Sequence, residues 1–115
     1  MPQRDALYLE LIQEAVEDIE RRFGPMAFEV YMADRDEQAL AAFRLSIIGE
    51  NANKISDGIK GRHAQIPWQA MVAFRHIVSH EYHRVDPILV WETLHDLHAI
   101  ADMVECEINR LEEPE

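Results

Sequence analysis

The chain has 115 residues, of which 48% are hydrophobic and only four are glycine and five are proline, and its formal net charge is −11. This composition excludes a disordered tail and predicts one ordered domain over residues 1–115. The negative charge opposes indiscriminate binding to nucleic acid or to an anionic membrane, but it is compatible with a local basic cleft.

The cellular compartment is suggested by two simple features. Cys106 is the single cysteine, which excludes an internal disulfide and favours a reducing environment. The first residues lack the apolar segment of a signal peptide, and no apolar run is long enough to span a membrane. We therefore expect a cytoplasmic protein with no membrane partner.

Apolar residues recur at helical spacing in residues 5–23, which predicts a first helix with acidic residues on its solvent side. The predicted buried stripe consists of Leu7, Leu11, Ala15, Ile19 and Phe23, with Ile12 and Val16 beside it. Gly24-Pro25 ends this helix, and we expect Phe28, Tyr31 and Met32 in the following loop to pack back onto the bundle.

The second helix is predicted to begin at Asp34 or Asp36, because either carboxylate can cap its first turn, and to end at residues 58–61. Gly49 lies inside this helix, where glycine lowers stability unless another backbone approaches closely. The sequence therefore predicts a tight helix crossing at Gly49.

Pro67-Trp68 predicts the start of a third helix and Asp86-Pro87 the start of a fourth, since proline fits the first turn of a helix. Apolar spacing carries the third helix through Tyr82 and the fourth to residue 111. Four helices with short connections predict an all-α fold, an antiparallel four-helix bundle.

A polar cluster lies on the predicted third helix and just beyond it, where Arg75, His80 and Tyr82 occur in the order R-x4-H-x-Y. An arginine can neutralise a phosphate, and a histidine can move a proton near neutral pH. At about 100° per residue, Arg75 and Tyr82 share one helix face and His80 lies to one side. The cluster is therefore a candidate functional site.

Two simpler interpretations of this cluster are open. Its charges can form an ordinary solvated face, or Arg75 can pair with an acid such as Glu50 inside the bundle. On spacing alone, these interpretations are favoured over a functional site.

Histidine pairs at positions 76 and 80 and at positions 95 and 98 have a spacing at which each pair can face one metal ion. Zinc sites, however, take about three or four protein ligands at fixed geometry. Cys106 is not at a ligand-like spacing from these histidines. We therefore expect no metal and no cofactor.

Several short segments follow one another in the chain: Ile47-Ile48-Gly49-Glu50, Ile66-Pro67-Trp68, Arg75-x4-His80-Glu81-Tyr82, Val85-Asp86 and Val90-Trp91-Glu92. Together they resemble the HepT-like branch of the HEPN superfamily. The resemblance is co-linear from the first helix to about Trp91, so it is more specific than the R-x4-H motif alone.

This resemblance implies an all-helical, HEPN-like homodimer that acts as a metal-independent ribonuclease toxin. It also implies a partner antitoxin, MntA, a minimal nucleotidyltransferase that transfers AMP onto the motif tyrosine. Carried onto this chain, Arg75 and His80 are the catalytic residues and Tyr82 is the tyrosine that receives AMP.

The chain also differs from the usual family pattern near the motif. His76 stands where asparagine usually follows the motif arginine, and His83 and Arg84 stand where an aromatic and a small residue often follow the tyrosine. We expect these three residues and Glu50 to support the site.

The predicted function is a toxin ribonuclease in which the 2′-hydroxyl of RNA attacks the adjacent phosphate, His80 moves protons and Arg75 stabilises negative charge. Because this attack needs a 2′-hydroxyl, RNA is the expected substrate and specific DNA binding is not expected. Two other classes are open. The chain can be a non-catalytic partner that presents Tyr82 to a nucleotidyltransferase, or a structural dimer with a solvated histidine patch.

Overall fold

The computed structural model describes residues 2–113, which form seven α-helices and one 3₁₀ helix. The α-helices are α1 (Pro2–Phe23), α2 (Phe28–Met32), α3 (Arg35–Lys54), α4 (Asp57–Arg62), α5 (Trp68–His80), α6 (Pro87–Leu94) and α7 (His98–Glu112), and the 3₁₀ helix is Tyr82–Arg84. The predicted all-α fold is confirmed. None of the helices in this part of the chain is long and apolar enough to cross a membrane.

The core forms where α1 packs against α3 and α7, and α3 packs in turn against α5 and α6. Most of the stripe predicted for α1 is confirmed, since Ile12, Ala15, Val16, Ile19 and Phe23 are buried. The prediction that Leu7 is buried is wrong, because Leu7 is 52% exposed and Leu9 is buried instead. The buried positions 9, 12, 16, 19 and 23 follow the alternating steps of three and four that a 3.6-residue period requires.

Both predicted aspartate caps are present. The Asp34 carboxylate accepts hydrogen bonds from the backbone N–H groups of Asp36 and Glu37 at 2.9 and 3.3 Å. At the start of α6, Asp86 accepts the backbone N–H of Ile88 at 3.0 Å. These caps fix where α3 and α6 begin.

The close crossing predicted at Gly49 is confirmed between α3 and α5. A Cβ atom on Gly49 would collide with the carbonyl oxygen of Met71 and would lie 3.2 Å from the Cβ of Arg75. Only glycine allows this approach. The crossing therefore sets the position of α5 at Arg75.

The second predicted helix is interrupted at Ile55 and Ser56, which separate α3 from α4. The buried carboxylate of Asp5 accepts the backbone N–H of Ser56 at 3.0 Å. In a continuous helix that N–H would bond within the helix, so the contact with α1 accounts for the break.

The fourth predicted helix is also interrupted, at residues 95–97, giving α6 and α7. The His95 ring lies 2.9 Å from the carbonyl oxygen of Trp91 and 3.2 Å from that of Phe23. In a continuous helix, the backbone N–H of His95 would donate to the Trp91 carbonyl, which the His95 ring contacts instead. The backbone N–H of His95 donates to the carbonyl of Glu92 at 3.3 Å.

Candidate active site

The predicted cluster lies at the C-terminal end of α5 and in the turn that follows. Arg75, His76 and His80 are on α5, and Tyr82–Arg84 is the 3₁₀ helix. No residue of α5 is buried, although the helix packs against α3. The fold therefore presents the cluster at the surface.

Arg75 and Glu50 approach each other beside the Gly49 crossing. The guanidinium Nη2 is 3.8 Å from the carboxylate Oε1, and the two side chains are 43% and 45% exposed. Arg75 and Glu50 thus approach each other as one of the predicted alternatives expected. That alternative is wrong in placing the pair inside the bundle, because the pair is loose and solvated. Such a pair contributes at most about 1 kcal/mol, so the Arg75 guanidinium can still bind an anion.

His76 and His80 are one helical turn apart, and both are exposed. Their ring centroids lie 4.5 Å apart, with the ring planes tilted by 45°. Arg75 precedes His80 by five positions, so their side chains leave the helix in directions about 140° apart. His80 therefore has a second imidazole as its nearest partner on the α5 surface, and Arg75 lies on another side of the helix.

Tyr82 lies outside α5, which ends at His80. The prediction that Tyr82 continues the helical face of Arg75 is wrong, because the backbone of Glu81 turns away at φ −142° and ψ 48°. The Tyr82 side chain is 46% exposed. Burial, together with the nearby Tyr82 phenol and the Asp86 carboxylate, raises the pKa of Tyr31 to about 12. Tyr82 and Asp86 therefore both lie near Tyr31.

His83 and Arg84 extend this surface, and both are exposed. The Arg84 Nη1 atom donates to Glu81 at 3.2 Å, between side chains that are 57% and 40% exposed. These residues add imidazole and guanidinium groups next to Tyr82.

His95 and His98, the second predicted pair, have separate partners. His95 stacks on Trp91 with ring centroids 4.3 Å apart and contacts two backbone carbonyls. His98 is highly exposed and lies 3.1 Å from the carboxylate of Asp96. The 95/98 pair therefore does not form a shared ligand site.

A buried ionic cluster at the other end of α5 escaped the sequence-based prediction. Glu107 on α7 is only 1% exposed, and its carboxylate accepts hydrogen bonds from Arg62 at 2.6 and 3.2 Å and lies 2.6 Å from His63 Nε2. The bonds from Arg62 lower the pKa of Glu107 more than burial raises it, and His63 lowers it further. The sequence contains one signal for this cluster, which is an acidic residue on an apolar helix face. Glu107 lies between Val104 and Ile108 on the apolar stripe of α7.

The same cluster includes the single cysteine. Candidate ligand atoms of His63, Cys106 and Glu107 all lie within 4.8 Å of one another. The spacing of Cys106 from the histidines at 76, 80, 95 and 98 predicted no shared site, and the fold instead brings Cys106 to His63.

Comparison with known proteins gives a consistent result. A profile of the family described as "Ribonuclease HepT-like" matches residues 12–106, a span that contains the whole cluster on α5 and after it. A protein of Thermococcus cleftensis, named as a probable ribonuclease HepT, is 37% identical over 87 residues, which cover 76% of this chain and 79% of the relative.

Two further relatives are provisionally named RNases. The one from Caldanaerobacter subterraneus subsp. tengcongensis is 29% identical, over 76% of this chain and 78% of the relative. The one from Methanocaldococcus jannaschii is 31% identical, over 81% of this chain and 78% of the relative. No solved structure matches the chain.

Proposed function

Because this chain belongs to the HepT-like ribonuclease family, we propose that it is the toxin of a HepT/MntA-type (type VII) toxin–antitoxin pair, an endoribonuclease that is silenced when AMP is attached to Tyr82. Family membership makes the chain a ribonuclease. The toxin role, the cleavage chemistry and the silencing are the proposal. The observation that carries it is the exposed His76–His80 pair on α5, with a loosely paired Arg75 on another side of the same helix.

In the proposed reaction, the 2′-oxygen of a ribose attacks the adjacent phosphorus and the 5′-oxygen of the next nucleotide leaves. The 2′-hydroxyl loses a proton and the leaving oxygen gains one, so an imidazole is needed on each side of the phosphorus or one imidazole must serve twice. Because the His76 and His80 rings are adjacent, they lie on the same side of the phosphorus. His80 therefore serves twice: it takes the proton from the 2′-hydroxyl and returns it to the leaving 5′-oxygen, and His76 supports it. Arg75 neutralises charge on the phosphate oxygens.

The supporting residues have separate roles in this proposal. Glu50 holds the Arg75 guanidinium near the α3–α5 crossing without saturating its hydrogen-bond donors. His83 and Arg84 contact the RNA backbone beyond the cleaved phosphate, since both are exposed next to the cluster. The acidic remainder of the chain restricts RNA to this surface, and binding weakens as salt increases.

We further propose a homodimer in which two such clusters line one cleft. α5 buries none of its residues, and Phe74, Ile77 and Leu89 line an apolar groove between α5 and α6. Ile88 and Leu89 are 49% and 58% exposed. Apolar surface of this kind is typical of an interface. A two-fold axis at the groove would bring two copies of α5, and with them two clusters, next to each other.

Light scattering at micromolar concentration tests this assembly and should give twice the mass of the chain. A monomer would contradict the shared cleft. Leu89→Glu should weaken the dimer and cleavage together, whereas Leu7→Glu, at an equally exposed leucine on α1, should change neither.

Cleavage of total cellular RNA by the purified, unmodified protein tests the catalytic proposal. His80→Ala should lose about 10²- to 10⁴-fold in rate, which is the usual contribution of one positioned proton carrier. Arg75→Lys should also fail, because an ammonium cannot reproduce the guanidinium fork on a phosphate. His98→Ala, at an exposed histidine away from the cluster, is the matched control.

The cleavage assay separates this proposal from the alternative of a non-catalytic AMP acceptor. EDTA should leave cleavage unchanged, because no step needs a metal ion. If the unmodified wild-type protein cleaves no RNA but is still adenylylated at Tyr82, the chain is a non-catalytic AMP acceptor. We place the pair in the cytoplasm, where RNA is present and the exposed thiol of Cys106 stays reduced.

A further inference from the structure

The His63, Cys106 and Glu107 side chains bring three kinds of metal ligand together at the junction of α4 and α7. An imidazole nitrogen, a thiol sulfur and a carboxylate oxygen lie within 4.8 Å of one another. Glu107 is buried, His63 is nearly buried at 14% exposed, and Cys106 is exposed. The three groups thus form a site that is closed on the core side and open to solvent on one side.

Both buried ligands are held in place by the fold. His63 caps α4, its backbone N–H bonds to the carbonyls of Ile59 and Lys60 at 3.2 Å, and its own carbonyl accepts the Trp68 indole N–H at 3.0 Å. Glu107 is fixed on α7 by Arg62. Cys106 is next to Glu107 on the same helix, and its sulfur already lies within 4.8 Å of the other two ligand atoms.

We propose that His63, Cys106 and Glu107 bind one divalent transition-metal ion of the zinc class, with water as the fourth ligand. Imidazole and thiolate ligands favour zinc over magnesium or calcium. Metal–ligand bonds of about 2.0–2.3 Å place tetrahedral ligands about 3.3–3.7 Å apart. The His63–Glu107 separation of 2.6 Å must therefore widen, and the other separations, all at or below 4.8 Å, need only small contractions.

The carboxylate of Glu107 can bind the metal and still accept a hydrogen bond from Arg62. Its Oε1 atom accepts the shorter Arg62 bond at 2.6 Å, and its Oε2 atom faces His63 and accepts the longer bond from Arg62 Nε at 3.2 Å. The metal takes Oε2 and replaces the hydrogen bond between Glu107 and His63. The Cys106 thiol releases its proton to solvent on binding, and His63 binds as the neutral ring.

This site is remote from the proposed catalytic residues. Twelve helical steps of 1.5 Å separate Trp68, next to His63, from His80, so the two sites lie about 18 Å apart along α5. A metal here would clamp the segment between α4 and α5 onto α7. Its effect is on the stability of the fold, and the metal takes no part in RNA cleavage.

Titration of the reduced full-length protein with Co²⁺ tests the site directly. The expected result is one equivalent bound with a near-ultraviolet thiolate-to-cobalt absorption band, displaced by Zn²⁺. Zn²⁺ should raise the thermal midpoint by about 5 °C or more at saturating concentration. EDTA should reverse that shift while RNA cleavage continues.

Three variants distinguish Co²⁺ binding at this site from Co²⁺ binding elsewhere on the chain. Cys106→Ser should lose the thiolate band, and His63→Gln should weaken Co²⁺ binding by at least about tenfold. His76→Gln tests the exposed pair on α5, which has no thiol nearby, and should leave the band unchanged. No thiolate band in the wild type, or a full band in His63→Gln, would overturn the proposal, and neither result bears on RNA cleavage by His80.

Discussion

Arg75 and Glu50 face each other across the α3–α5 crossing, with 3.8 Å between Nη2 and Oε1. If Glu50 orients Arg75, Glu50→Gln should lower kcat/KM for RNA cleavage by about fivefold, equivalent to about 1 kcal/mol. The thermal midpoint should change little, because both side chains are solvated. Steady-state cleavage of a short fluorescent RNA measures the effect.

Lys54 provides the matched control for Glu50. It lies 4.0 Å from the same carboxylate and one turn further along α3, so Lys54→Gln removes the other cation near Glu50 without touching Arg75. Lys54→Gln should keep the wild-type rate. A faster reaction in Glu50→Gln would instead mean that Glu50 competes with the RNA phosphate for Arg75.

Gly49 is predicted to matter for both the fold and the site. Gly49→Ala inserts a methyl group against the Met71 carbonyl and the Arg75 Cβ, so α5 must move away from α3. We expect a loss of about 1–3 kcal/mol in the free energy of unfolding, as for other overpacked sites, together with weaker cleavage. Urea unfolding followed by circular dichroism measures the first effect.

Gly61 is the control for the Gly49 prediction. Among residues 2–113, apart from its chain neighbours and its own helix backbone, no atom lies within 4 Å of a Cβ built at Gly61, which is also in a helix. Gly61→Ala should therefore stabilise the protein slightly, by about 0.5–1 kcal/mol, and should leave cleavage unchanged. Equal destabilisation in both variants would contradict the tight crossing at Gly49.

Glu107 should make the stability of the protein sensitive to acid. Arg62 and His63 lower its pKa below the ordinary value of 4.5 in the folded state. The contribution of the Glu107 carboxylate is therefore present above about pH 4.5, and it is lost as the pH falls through the folded-state pKa. Glu107→Gln should cost about 2 kcal/mol at pH 7, measured by urea unfolding.

The pH dependence supplies the control for this effect. The difference in unfolding free energy between wild type and Glu107→Gln should be present at pH 5 and shrink below pH 4.5. Glu105→Gln, at an exposed acid on the same helix, should show no such difference. A difference that does not depend on pH would mean that packing, and not charge, stabilises Glu107.

Local signals in the sequence were sufficient for the starts of the main helices. Asp34 and Asp86 cap helices with their own next residues, so neighbouring positions contain all the information needed. The breaks at Ser56 and His95 depend on contacts with Asp5 and Phe23, which are 51 and 72 positions away. No window of helical periodicity contains these partners, and the predicted helices therefore ran too long.

In the candidate site, too, the features set by neighbouring residues were predicted and those set by distant contacts were not. Arg75 and His80 were placed on one helix because their spacing is local, and that placement is confirmed. Tyr82 was placed on the same helix, and the turn at Glu81 removes it to a position near Tyr31. The contacts of Glu107 with Arg62 and His63 join residues 45 and 44 positions apart, so only the fold reveals them.

The proposed switch at Tyr82 can be tested in one reaction series. The side chain is 46% exposed and lies just after His80, so an enzyme can reach its hydroxyl without unfolding the chain. An attached AMP would bring a phosphodiester charge and an adenosine to the proposed RNA-binding surface, and both oppose RNA binding. With the proposed partner nucleotidyltransferase and ATP, the wild type should gain one adenylyl mass on the Tyr82 peptide and lose cleavage, while its thermal midpoint stays within about 2 °C. Tyr82→Phe should keep cleaving RNA and escape silencing, and Tyr8→Phe, at a partly buried tyrosine of α1, should be silenced like the wild type. Silencing of Tyr82→Phe with no adenylyl mass on that peptide would show that the partner acts by another route.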